Sequence, residues 1–440
     1  MLTKKDVCLV FVFLIVAKTL IAFFIPVVGD ESYYWYWGQN LQLSYFDHPP
    51  IVSWLTSASE TLSFLPDWLR VRSFFILLST FSVFVWLKAF QRSYQPTRQA
   101  SLLFLLFFNL NPLLGMGGIF ATPDVPLIFF WGCSFYFVLR ALQTQKWLDY
   151  LLLGLFLGLG FCSKYHIVLF VPTILLYLAV SKQLRKINFK YLGITVASGF
   201  VFSLPVIIWN YQNNWESFLF QLNHGFTRNL YKWEWSASYL MGQILLFSPF
   251  LIYSIVRAWK KSELSTMALA QWAFFFYSST KAPVEANWPI AAQAQGAAAL
   301  DFKKINLKLS LGYWIFIYLF LIIFVCSPFG QEKIRNVPNA TEVKRILPDI
   351  LDYQPLYGPS YQISSLIHYL SGREVKKLPR LGRYDFYDRL QEIPTPVKGD
   401  KFYLLKHANS WWPEWTEKYK KTEIKKFKEY NLELILLENE

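Results

Sequence analysis

The sequence predicts an all-α polytopic membrane protein with about 11 transmembrane helices and a small α/β domain at its C-terminal end. Of its 440 residues, 54% are hydrophobic, 19% are aromatic and only 16% are charged, whereas soluble domains carry more charge and fewer aromatic residues. The apolar residues come in blocks of about 20, roughly the number that a helix needs to cross a bilayer. We expect spans near residues 7–27, 70–90, 100–119, 125–143, 147–163, 165–180, 191–209, 237–257, 264–280, 287–300 and 310–327.

The distribution of basic residues predicts how these spans are oriented. Lysine and arginine gather in the cytoplasmic loops of membrane proteins. Here they gather before the first span and in every second connection after it, near residues 4–5, 88–98, 140–146, 182–190, 257–261 and 303–308. We therefore expect a cytoplasmic N-terminus, an uncleaved first span, and an extracytoplasmic domain over residues 328–440.

Residues 328–440 differ in composition from the rest, because they carry 19 basic and 16 acidic residues and few long apolar runs. The segments KFYLLKHA and LELILLEN have the pattern of strands, and SYQISSLIHYLSG has that of a helix that ends at Gly372. Most of the formal charge of +14 therefore lies in the cytoplasmic loops, where it meets anionic lipid headgroups. Nucleic-acid binding is not needed to explain it.

Two adjacent carboxylates directly follow the first span, in the segment GDESYYWYWGQNLQLSYFDHPP (residues 29–50). Ionised groups beside hydrocarbon are costly, so Asp30 and Glu31 need a partner, a cation or a shifted protonation state. A simpler interpretation is that the two acids end a helix and meet water.

The rest of this segment favours a functional loop. Its five aromatic residues, 33–37, could form an interfacial belt, but residues 32–46 are also long enough for a helix on the membrane surface. Such a helix would lead to Asp47 and His48, which stand before two prolines. Two acidic sites would then lie on one outer loop, with a histidine between the second carboxylate and the prolines.

A further acid lies in ATPDVP (residues 121–126), the short outer connection between the third and fourth predicted spans. Its two prolines restrict the backbone. Thr122 or Asp124 could cap the N-terminus of the fourth span, and this interpretation does not exclude a functional role.

Four segments of the chain resemble one known family, in order and with similar spacing over about residues 1–300. GDESYYWYWGQNLQLSYFDHPP, ATPDVP, FCSKYHIVLFVP and KAPVEANWP are similar to the C-type (GT-C) glycosyltransferases that use polyprenyl-phosphate sugars. The nearest group contains the protein O-mannosyltransferases and the bacterial lipid A aminoarabinose transferases. The resemblance implies a GT-C fold over residues 1–327, a catalytic outer loop at 28–69, and sugar transfer from a polyprenyl (undecaprenyl) phosphate carrier.

The resemblance also implies roles for the outer acids. Asp30 matches the family's catalytic acid, Glu31 matches its neighbour, and Asp124 matches a second acid that faces the same cavity. The carrier keeps its phosphate at headgroup level, so a base at the end of the first span would lie near the reacting sugar carbon. No nucleotide-sugar site is implied, and the sequence has no glycine-rich phosphate loop.

Basic residues are expected to stabilise the charge of the leaving phosphate. Lys164 and Lys281 match family positions, and Arg228 lies in the long outer loop at 210–236. Each could instead snorkel from the end of a helix to the interface. His48 stands where the aminoarabinose transferases have a lysine that contacts lipid phosphate, so it is a further candidate.

The resemblance makes a divalent metal a candidate cofactor. Asp47 stands where an acid of the aminoarabinose transferases helps to hold a metal, and His224, in FQLNHGFTR, could match the second ligand. Two protein ligands would make an open site.

Several functions stay open at this point. The acceptor would be lipid A, lipopolysaccharide or another envelope glycan at a bacterial inner membrane, or a protein. A transporter or flippase of lipid-linked sugars would place ionisable groups near mid-bilayer and show repeated halves, whereas Lys18 is the conspicuous charge within a span. An oligosaccharyltransferase would have Trp-Trp-Asp in its tail, where residues 411–414 read Trp-Trp-Pro-Glu.

Overall fold

The computed structural model describes residues 2–226, 231–259, 262–327, 329–330, 339–393 and 397–440. The chain forms two compact units. The membrane unit comprises residues 1–22, 42–55 and 72–321, and the tail unit comprises residues 23–41, 56–71 and 322–440. The tail unit therefore combines the C-terminal residues with two segments of the first outer loop, and the predicted division after residue 327 stays a prediction.

Helices dominate the chain up to residue 326. Several begin where a side chain accepts the unpaired backbone amides of the first turn, as Thr97, Asn188 and Ser262 do. In chain order the helices are α1 (Lys4–Phe24), α2 (Gly29–Gln39), α3 (Ile51–Ser59), α4 (Asp67–Arg70), α5 (Ser73–Tyr94), α6 (Arg98–Leu110), α7 (Asp124–Thr144), α8 (Trp147–Phe161), α9 (Phe170–Val180), α10 (Phe189–Gln212), α11 (Glu216–Phe226), α12 (Trp233–Phe247), α13 (Pro249–Arg257), α14 (Glu263–Ser279), α15 (Ile290–Ala298) and α16 (Leu307–Cys326).

Within the described residues, five helical segments are long and apolar enough to cross a membrane: α1, α4–α5, α7, α10 and α16. The pair α12 and α13 would make a sixth span, but the chain bends by 91° between these two helices. α6, α8 and residues 165–180 are shorter apolar helices. Each predicted block overlaps at least one helix, and the count of 11 spans stays a prediction.

The third predicted block is helical over only part of its length. α6 ends at Leu110, because Pro112 holds the backbone of Asn111 in an extended conformation. The Asn111 side chain donates a hydrogen bond to the Leu246 carbonyl at 3.0 Å, and a short 3₁₀ turn follows at Gly117–Ile119. The non-helical turn that results lines the cavity of the candidate site.

Small residues allow a close contact between α8 and α10 in the membrane unit. A Cβ atom added to Gly154 in α8 would lie 2.2 Å from the Thr195 carbonyl oxygen in α10. The hydroxyl of Thr195 in turn donates to the Tyr150 carbonyl at 2.8 Å. Close approach of this kind is how helices associate where no hydrophobic effect drives them together.

The tail unit contains a five-stranded mixed sheet in the order β2-β1-β3-β5-β4. β1 is parallel to β2 and β3, whereas β3, β5 and β4 form antiparallel pairs. The strands are β1 (Leu356–Gly358), β2 (Lys376–Lys377), β3 (Lys401–His407), β4 (Lys420–Phe427) and β5 (Leu432–Glu438), and the helices are α17 (Ala340–Ile350), α18 (Tyr361–Ser371) and α19 (Phe386–Leu390).

The three elements predicted for the tail are confirmed. KFYLLKHA forms β3 and LELILLEN forms β5, and the two strands pair from Lys401 opposite Glu438 to His407 opposite Leu432. α18 ends at Gly372, which has a φ of 68° and its amide bonded to the His368 carbonyl. A residue without Cβ adopts this left-handed conformation without strain.

The surface helix predicted at residues 32–46 is wrong in its bounds, because α2 begins at Gly29 and ends at Gln39. Glu31 starts the helix early, since its carboxylate accepts the Val28 amide at 3.2 Å. Gly38 weakens the last turn, and Asn40 leaves the helical conformation with its amide bonded to the Trp37 carbonyl.

Candidate functional site

Asp124 forms the centre of a buried polar cluster in the membrane unit. It is the first residue of α7, where the partial positive charge of the helix N-terminus favours a carboxylate. Its Oδ1 accepts a hydrogen bond from Lys164 Nζ at 2.7 Å, and its Oδ2 accepts one from Asn287 Nδ2 at 2.7 Å. The capping interpretation of Thr122 or Asp124 is therefore wrong, because Pro123 precedes the helix and no side chain caps it.

Lys164 reaches this cluster because α8 ends just before it. The Lys164 amide bonds to the Gly160 carbonyl at 3.0 Å, and the residue then turns into an extended conformation. Its side chain is 6% exposed and forms an ion pair with Asp124. Lys164 therefore does not snorkel to solvent, and its role towards a phosphate stays a prediction.

The amine of Lys164 has hydrogen-bond donors that its ion pair with Asp124 does not use. An ammonium group has three N–H donors, and Asp124 takes one of them. Among the described residues no other side chain or carbonyl accepts from it. Two donors can therefore turn to a bound anion while the ion pair holds the amine in position.

Asn287 is the member of the cluster that the sequence reasoning missed. It lies in KAPVEANWP, the segment whose lysine matches a family position. An amide side chain carries no charge and therefore gave no electrostatic signal. The signal that could have found it is the motif, because three of the four family-like segments each supply one side chain to the cluster.

A cavity of about 310 Å³ opens beside the cluster and is lined by both Asp124 and Asn287. Most of its other walls are apolar and come from α6, the turn after it, α7 and α15. Ser79, Ser82 and Thr122 are further polar residues of the lining. Mostly apolar walls with a few polar groups are typical of small-molecule sites.

Lys281 lies in a different environment from Lys164. It follows the end of α14, is exposed, and has its amine 6.0 Å from the centre of the Tyr277 ring. Within the described residues it forms no ion pair with Asp124. The two lysines predicted to share one task are therefore not equivalent, and the snorkelling interpretation stays open for Lys281.

Asp47 is a buried residue of the loop that begins the membrane unit's second segment. Its backbone carbonyl accepts a hydrogen bond from Gln221 Nε2 of α11 at 2.6 Å. His48, next to it, is half-buried.

Two further candidates lie partly or wholly beyond what the structure describes. The backbone of His224 belongs to α11, one turn after Gln221, but its side chain is outside the description, and Arg228 lies outside the described residues. No group of three or more His, Cys, Asp or Glu side chains in the described residues could hold a metal ion. The metal and phosphate roles of these residues stay predictions.

The tail unit contains Asp30 and Glu31, which differ in exposure. Glu31 is fully buried and caps its own helix through the Val28 amide. Asp30 is exposed, and its Oδ1 accepts a hydrogen bond from Gln362 Nε2 of α18 at 3.4 Å. Adjacent residues on a helix point in different directions, so only Asp30 presents its carboxylate to solvent.

Close packing against α18 holds the helix that carries these acids. A Cβ added to Gly29 would lie 2.4 Å from Gln362 Cβ, so only glycine allows the approach. The hydroxyls of Ser32 and Ser365 are 2.9 Å apart, which joins the two helices one turn further on. The position of Asp30 is thus fixed by residues more than 300 positions away in the chain.

The aromatic residues of α2 form the core of this contact. Tyr33, Tyr36 and Trp37 are buried. Tyr36 stacks on Tyr387 with ring centres 4.5 Å apart, and the Phe386 amide donates to the Tyr33 hydroxyl at 3.0 Å. Burial and the nearby Glu374 carboxylate raise the pKa of Tyr36 to about 12, so its phenol stays protonated. These aromatic residues therefore pack within the tail unit and do not form an interfacial belt.

The chain is similar to known proteins in sequence and in fold. Residues 47–209 match the family model described as dolichyl-phosphate-mannose-protein mannosyltransferase. The chain is 25% identical over 289 residues to the lipid A galacturonosyltransferase RgtD of Rhizobium johnstonii, and this match covers 61% of the chain and 58% of RgtD. The match therefore spans less than two thirds of the length of that relative.

Solved structures of the protein ArnT from Cupriavidus metallidurans have a similar fold. The structure bound to undecaprenyl phosphate matches with a TM-score of 0.71 at 14% identity, over 99% of this chain and 98% of that chain. The apo structure matches with a TM-score of 0.69 at 14% identity, over 98% of each chain. The predicted resemblance to the C-type, polyprenyl-phosphate-dependent glycosyltransferases is thereby confirmed, and the fold is that of ArnT.

Proposed function

We propose that the chain is an integral membrane glycosyltransferase that moves a sugar from a polyprenyl phosphate carrier to an acceptor at the outer face of a bacterial inner membrane. The acceptor is lipid A, lipopolysaccharide or another envelope glycan. In this proposal the N-terminus is cytoplasmic and the C-terminal domain is periplasmic.

The cluster around Asp124 is the observation that carries the proposal. Three segments that are far apart in the sequence each supply one side chain to it, and they are three of the four segments that resemble the glycosyltransferases. A buried ion pair adds little to stability compared with well-packed apolar residues, so retaining one beside a cavity favours a chemical role. The two N–H donors of Lys164 that Asp124 does not use are suited to bind a phosphate.

The named relatives support the kind of donor and acceptor. RgtD is by name a lipid A galacturonosyltransferase, and ArnT has been solved with undecaprenyl phosphate. A lipid phosphate and a lipid A acceptor are both membrane-bound, which suits an enzyme with several apolar helices. Both substrates would be delivered within the plane of the bilayer.

The proposed reaction exchanges one bond at the sugar for another. The bond from the anomeric carbon to the phosphate oxygen breaks, and a bond from that carbon to an acceptor oxygen forms. Asp30, an exposed carboxylate, takes the acceptor's proton as a general base. Lys164 stabilises the polyprenyl phosphate that leaves, and Asp124 and Asn287 orient the amine. Lys281, His48 and Arg228 stay proposed phosphate contacts.

A protein acceptor is the second candidate, because the family model that matches residues 47–209 describes protein mannosyltransferases. Transfer to a protein would use the same lipid-phosphate donor, and the site residues would keep the roles given above. The two candidates differ in whether a serine or threonine hydroxyl or a glycolipid group attacks the sugar.

A divalent metal held by Asp47 and His224 stays part of the proposal as a candidate cofactor. Asp47 is buried, and its backbone carbonyl accepts a hydrogen bond from Gln221 of α11, the helix that also carries His224. Incubation with a chelator, followed by measurement of bound metal and of thermal stability, would test whether a metal belongs to the protein.

Sugar transfer by the purified protein in nanodiscs tests the proposal. Synthetic polyprenyl-phosphate sugars would be supplied with lipid A in one reaction and with a serine-rich peptide in another, and products would be identified by mass spectrometry. We expect glycosylated lipid A and released polyprenyl phosphate. Glycosylated peptide alone would favour the second candidate, and movement of the donor between leaflets without transfer would indicate a transporter.

A further inference from the structure

A groove runs along the outside of the membrane unit, apart from the cavity beside Asp124. Its volume is about 780 Å³, in the upper part of the range of roughly 300–1,000 Å³ that ligand pockets occupy. Its walls come from the first residues of the chain up to Val7, from α5, and from Phe129 of α7. Of the residues proposed for sugar transfer that the structure describes, none lines this groove.

One face of α5 determines the polarity of the groove. The helix contributes side chains at the spacing i, i+3, i+4 and i+7, which share one side of a helix: Phe81, Phe84, Val85 and Lys88. Gln91 continues this face three residues further on. From Phe81 to Gln91 the face is about 15 Å long at 1.5 Å per residue. The groove is therefore apolar over most of its length and polar at one end.

α1 bounds the groove with the same order of polar and apolar groups. Lys4, in the first turn of α1, lines the polar end, and Val7 lies one turn further along the helix. Phe11 of α1 contacts Phe81 and Phe84 of α5, with ring centres 5.1 Å and 5.9 Å apart. Each of the two helices therefore brings one lysine to the same end of the groove.

The two lysines at this end are exposed, and no acid neutralises them. Neither Lys4 nor Lys88 forms an ion pair or a side-chain hydrogen bond within the part of the chain that the structure describes. Asp6, two residues after Lys4, is already engaged, because its carboxylate accepts hydrogen bonds of 2.8 Å and 3.1 Å from Arg98. The polar end of the groove therefore carries a positive charge that the protein does not balance.

An apolar groove that ends in cations is complementary to an amphiphile with an anionic head. Apolar walls favour an acyl chain, and basic pockets between transmembrane helices bind anionic lipid headgroups. α1 would gain most from such a ligand, because only three of its 21 residues are buried, namely Leu14, Lys18 and Ala22. A lipid that lies against both α1 and α5 would supply packing that the protein itself does not.

The position of the lysines separates this groove from the sugar-transfer cluster. Ser79 lines the cavity beside Asp124, and Lys88 lies nine residues after Ser79 in the same helix. The two positions are thus about 14 Å apart along α5. A phosphate bound at Lys88 therefore lies at a different depth in the membrane from one bound at Lys164. The ligand of the groove is not a sugar donor in its reacting position.

We infer that the groove binds an anionic phospholipid of the surrounding membrane. The headgroup phosphate contacts the amines of Lys4 and Lys88 and the side-chain amide of Gln91, and an acyl chain lies towards Phe81 and Phe129. The inference goes beyond the proposed function, because this lipid is neither donor nor acceptor. A zwitterionic headgroup fits less well, since its own ammonium group opposes the two lysines.

Two phospholipids that share their acyl chains and differ in headgroup charge test the inference. Dioleoylphosphatidylglycerol or dioleoylphosphatidylcholine is added to the delipidated protein in neutral detergent, and native mass spectrometry measures the bound lipid. We expect phosphatidylglycerol to bind about tenfold or more tightly, because each basic residue beside an anionic lipid contributes about fivefold. Lys88→Gln should lower this preference by about fivefold, and Lys4→Gln combined with Lys88→Gln should abolish it.

The double variant Lys5→Gln with Lys146→Gln is the matched control. Both lysines are exposed and neither lines the groove, so the variant loses the same two positive charges elsewhere. Its preference for phosphatidylglycerol should be unchanged. Thermal unfolding without added lipid checks that each variant is folded, and the single Lys88→Gln variant keeps the test intact if the double variant does not fold.

A photoreactive phosphatidylglycerol locates the bound lipid. It carries a diazirine at the end of one acyl chain, which should reach the apolar end of the groove. Cross-linked peptides should therefore contain Phe81 of α5 or Phe129 of α7. The same cross-links should be lost in the variant that lacks both groove lysines and retained in the control variant.

Three results would overturn the inference. They are equal binding of the two lipids, an unchanged preference in the folded variants of Lys4 and Lys88, and cross-links confined to other helices. Displacement of phosphatidylglycerol by a lower concentration of polyprenyl phosphate would also overturn it and would assign the groove to the sugar carrier. Each of these results leaves the proposed sugar transfer standing, because the experiment measures lipid binding and not transfer.

Discussion

The acids of the two units are held in opposite ways. In the membrane unit, Asp124 is buried and both of its carboxylate oxygens accept short hydrogen bonds, from Lys164 and from Asn287. In the tail unit, Asp30 is exposed to solvent, while its buried neighbour Glu31 caps the helix. One unit thus fixes its acid within an ion pair, and the other presents its acid at a surface.

The difference indicates two chemical roles. A carboxylate locked to a cation is poorly suited to collect a proton, because protonation would leave the buried amine without its partner. An exposed carboxylate on a rigid helix can take a proton and pass it to water. We therefore expect Asp124 to set the position and field of Lys164, and Asp30 to take part in proton transfer.

Neutralising Asp30 should have the largest effect on catalysis and little effect on folding. Asp30→Asn keeps the shape and most hydrogen bonding but removes the base, so kcat for sugar transfer should fall by about 10²–10⁴-fold. The thermal unfolding temperature should stay the same. Asp67→Asn, an exposed acid of the same unit paired with Arg70, is the matched control and should leave transfer intact.

Near-normal transfer by a folded Asp30→Asn protein would contradict the assignment of Asp30 as the general base. It would move the base to another residue, and Asp124 would be the first to examine. A fall of the same size in the Asp67→Asn control would point to general disruption of the tail unit.

Disrupting the ion pair of the membrane unit should reduce both transfer and stability. Asp124→Asn or Lys164→Met leaves one buried charge without its partner, a change that costs about 3–5 kcal/mol in comparable sites. The double variant should recover much of this stability but not the transfer rate. Unfolding in detergent and transfer assays on the same preparations would check this, and equal stability of all four proteins would contradict it.

Lys281 and Lys164 should respond differently, since only Lys164 is buried. Lys281→Met should lower transfer by roughly tenfold if its amine contacts the donor phosphate, and it should leave unfolding unchanged. Lys308→Met, an exposed lysine at the start of α16, is the matched control. Identical kinetics in the Lys281 and Lys308 variants would show that Lys281 only snorkels.

The smallest effect is expected at Glu31. Glu31→Gln keeps an oxygen that can accept the Val28 amide and loses a favourable charge at the helix N-terminus, worth about 0.3–1 kcal/mol. Transfer should fall by less than tenfold, with a small decrease in the unfolding temperature. A loss as large as that of Asp30→Asn would mean that the two acids act together and that the capping role is incomplete.

The sequence predicts most of what depends on local pattern. Apolar blocks locate the helices, and alternation locates β3 and β5, because each signal is contained in a short window. The ATPDVP and FCSKYHIVLFVP segments identify Asp124 and Lys164, but their pairing is invisible in the sequence because 40 residues separate them. Asn287 was missed for the same reason, since its role depends on a partner 163 residues away.

The environment of α2 depends even more on distant residues. Five aromatic residues near a span suggest an interfacial belt, and nothing nearby in the sequence indicates that α18 covers them. The bounds of α2 also depend on Glu31, whose carboxylate accepts the Val28 amide, and its role in the site stays a prediction. Local pattern therefore located the acids but not the surfaces that hold them.

The contact between α2 and α18 can form only after a delay during biosynthesis, because α18 is synthesised long after α2. Ser32 and Ser365, which join the two helices, are 333 residues apart in the chain. At about 5–20 residues per second, a ribosome needs roughly 17–67 s to make the second after the first. During that interval the tyrosines and tryptophans of α2 lack the partners that α18 and α19 later supply. Such side chains are stable at the boundary between lipid and water, so the membrane surface can shelter the helix until its partner has been translated.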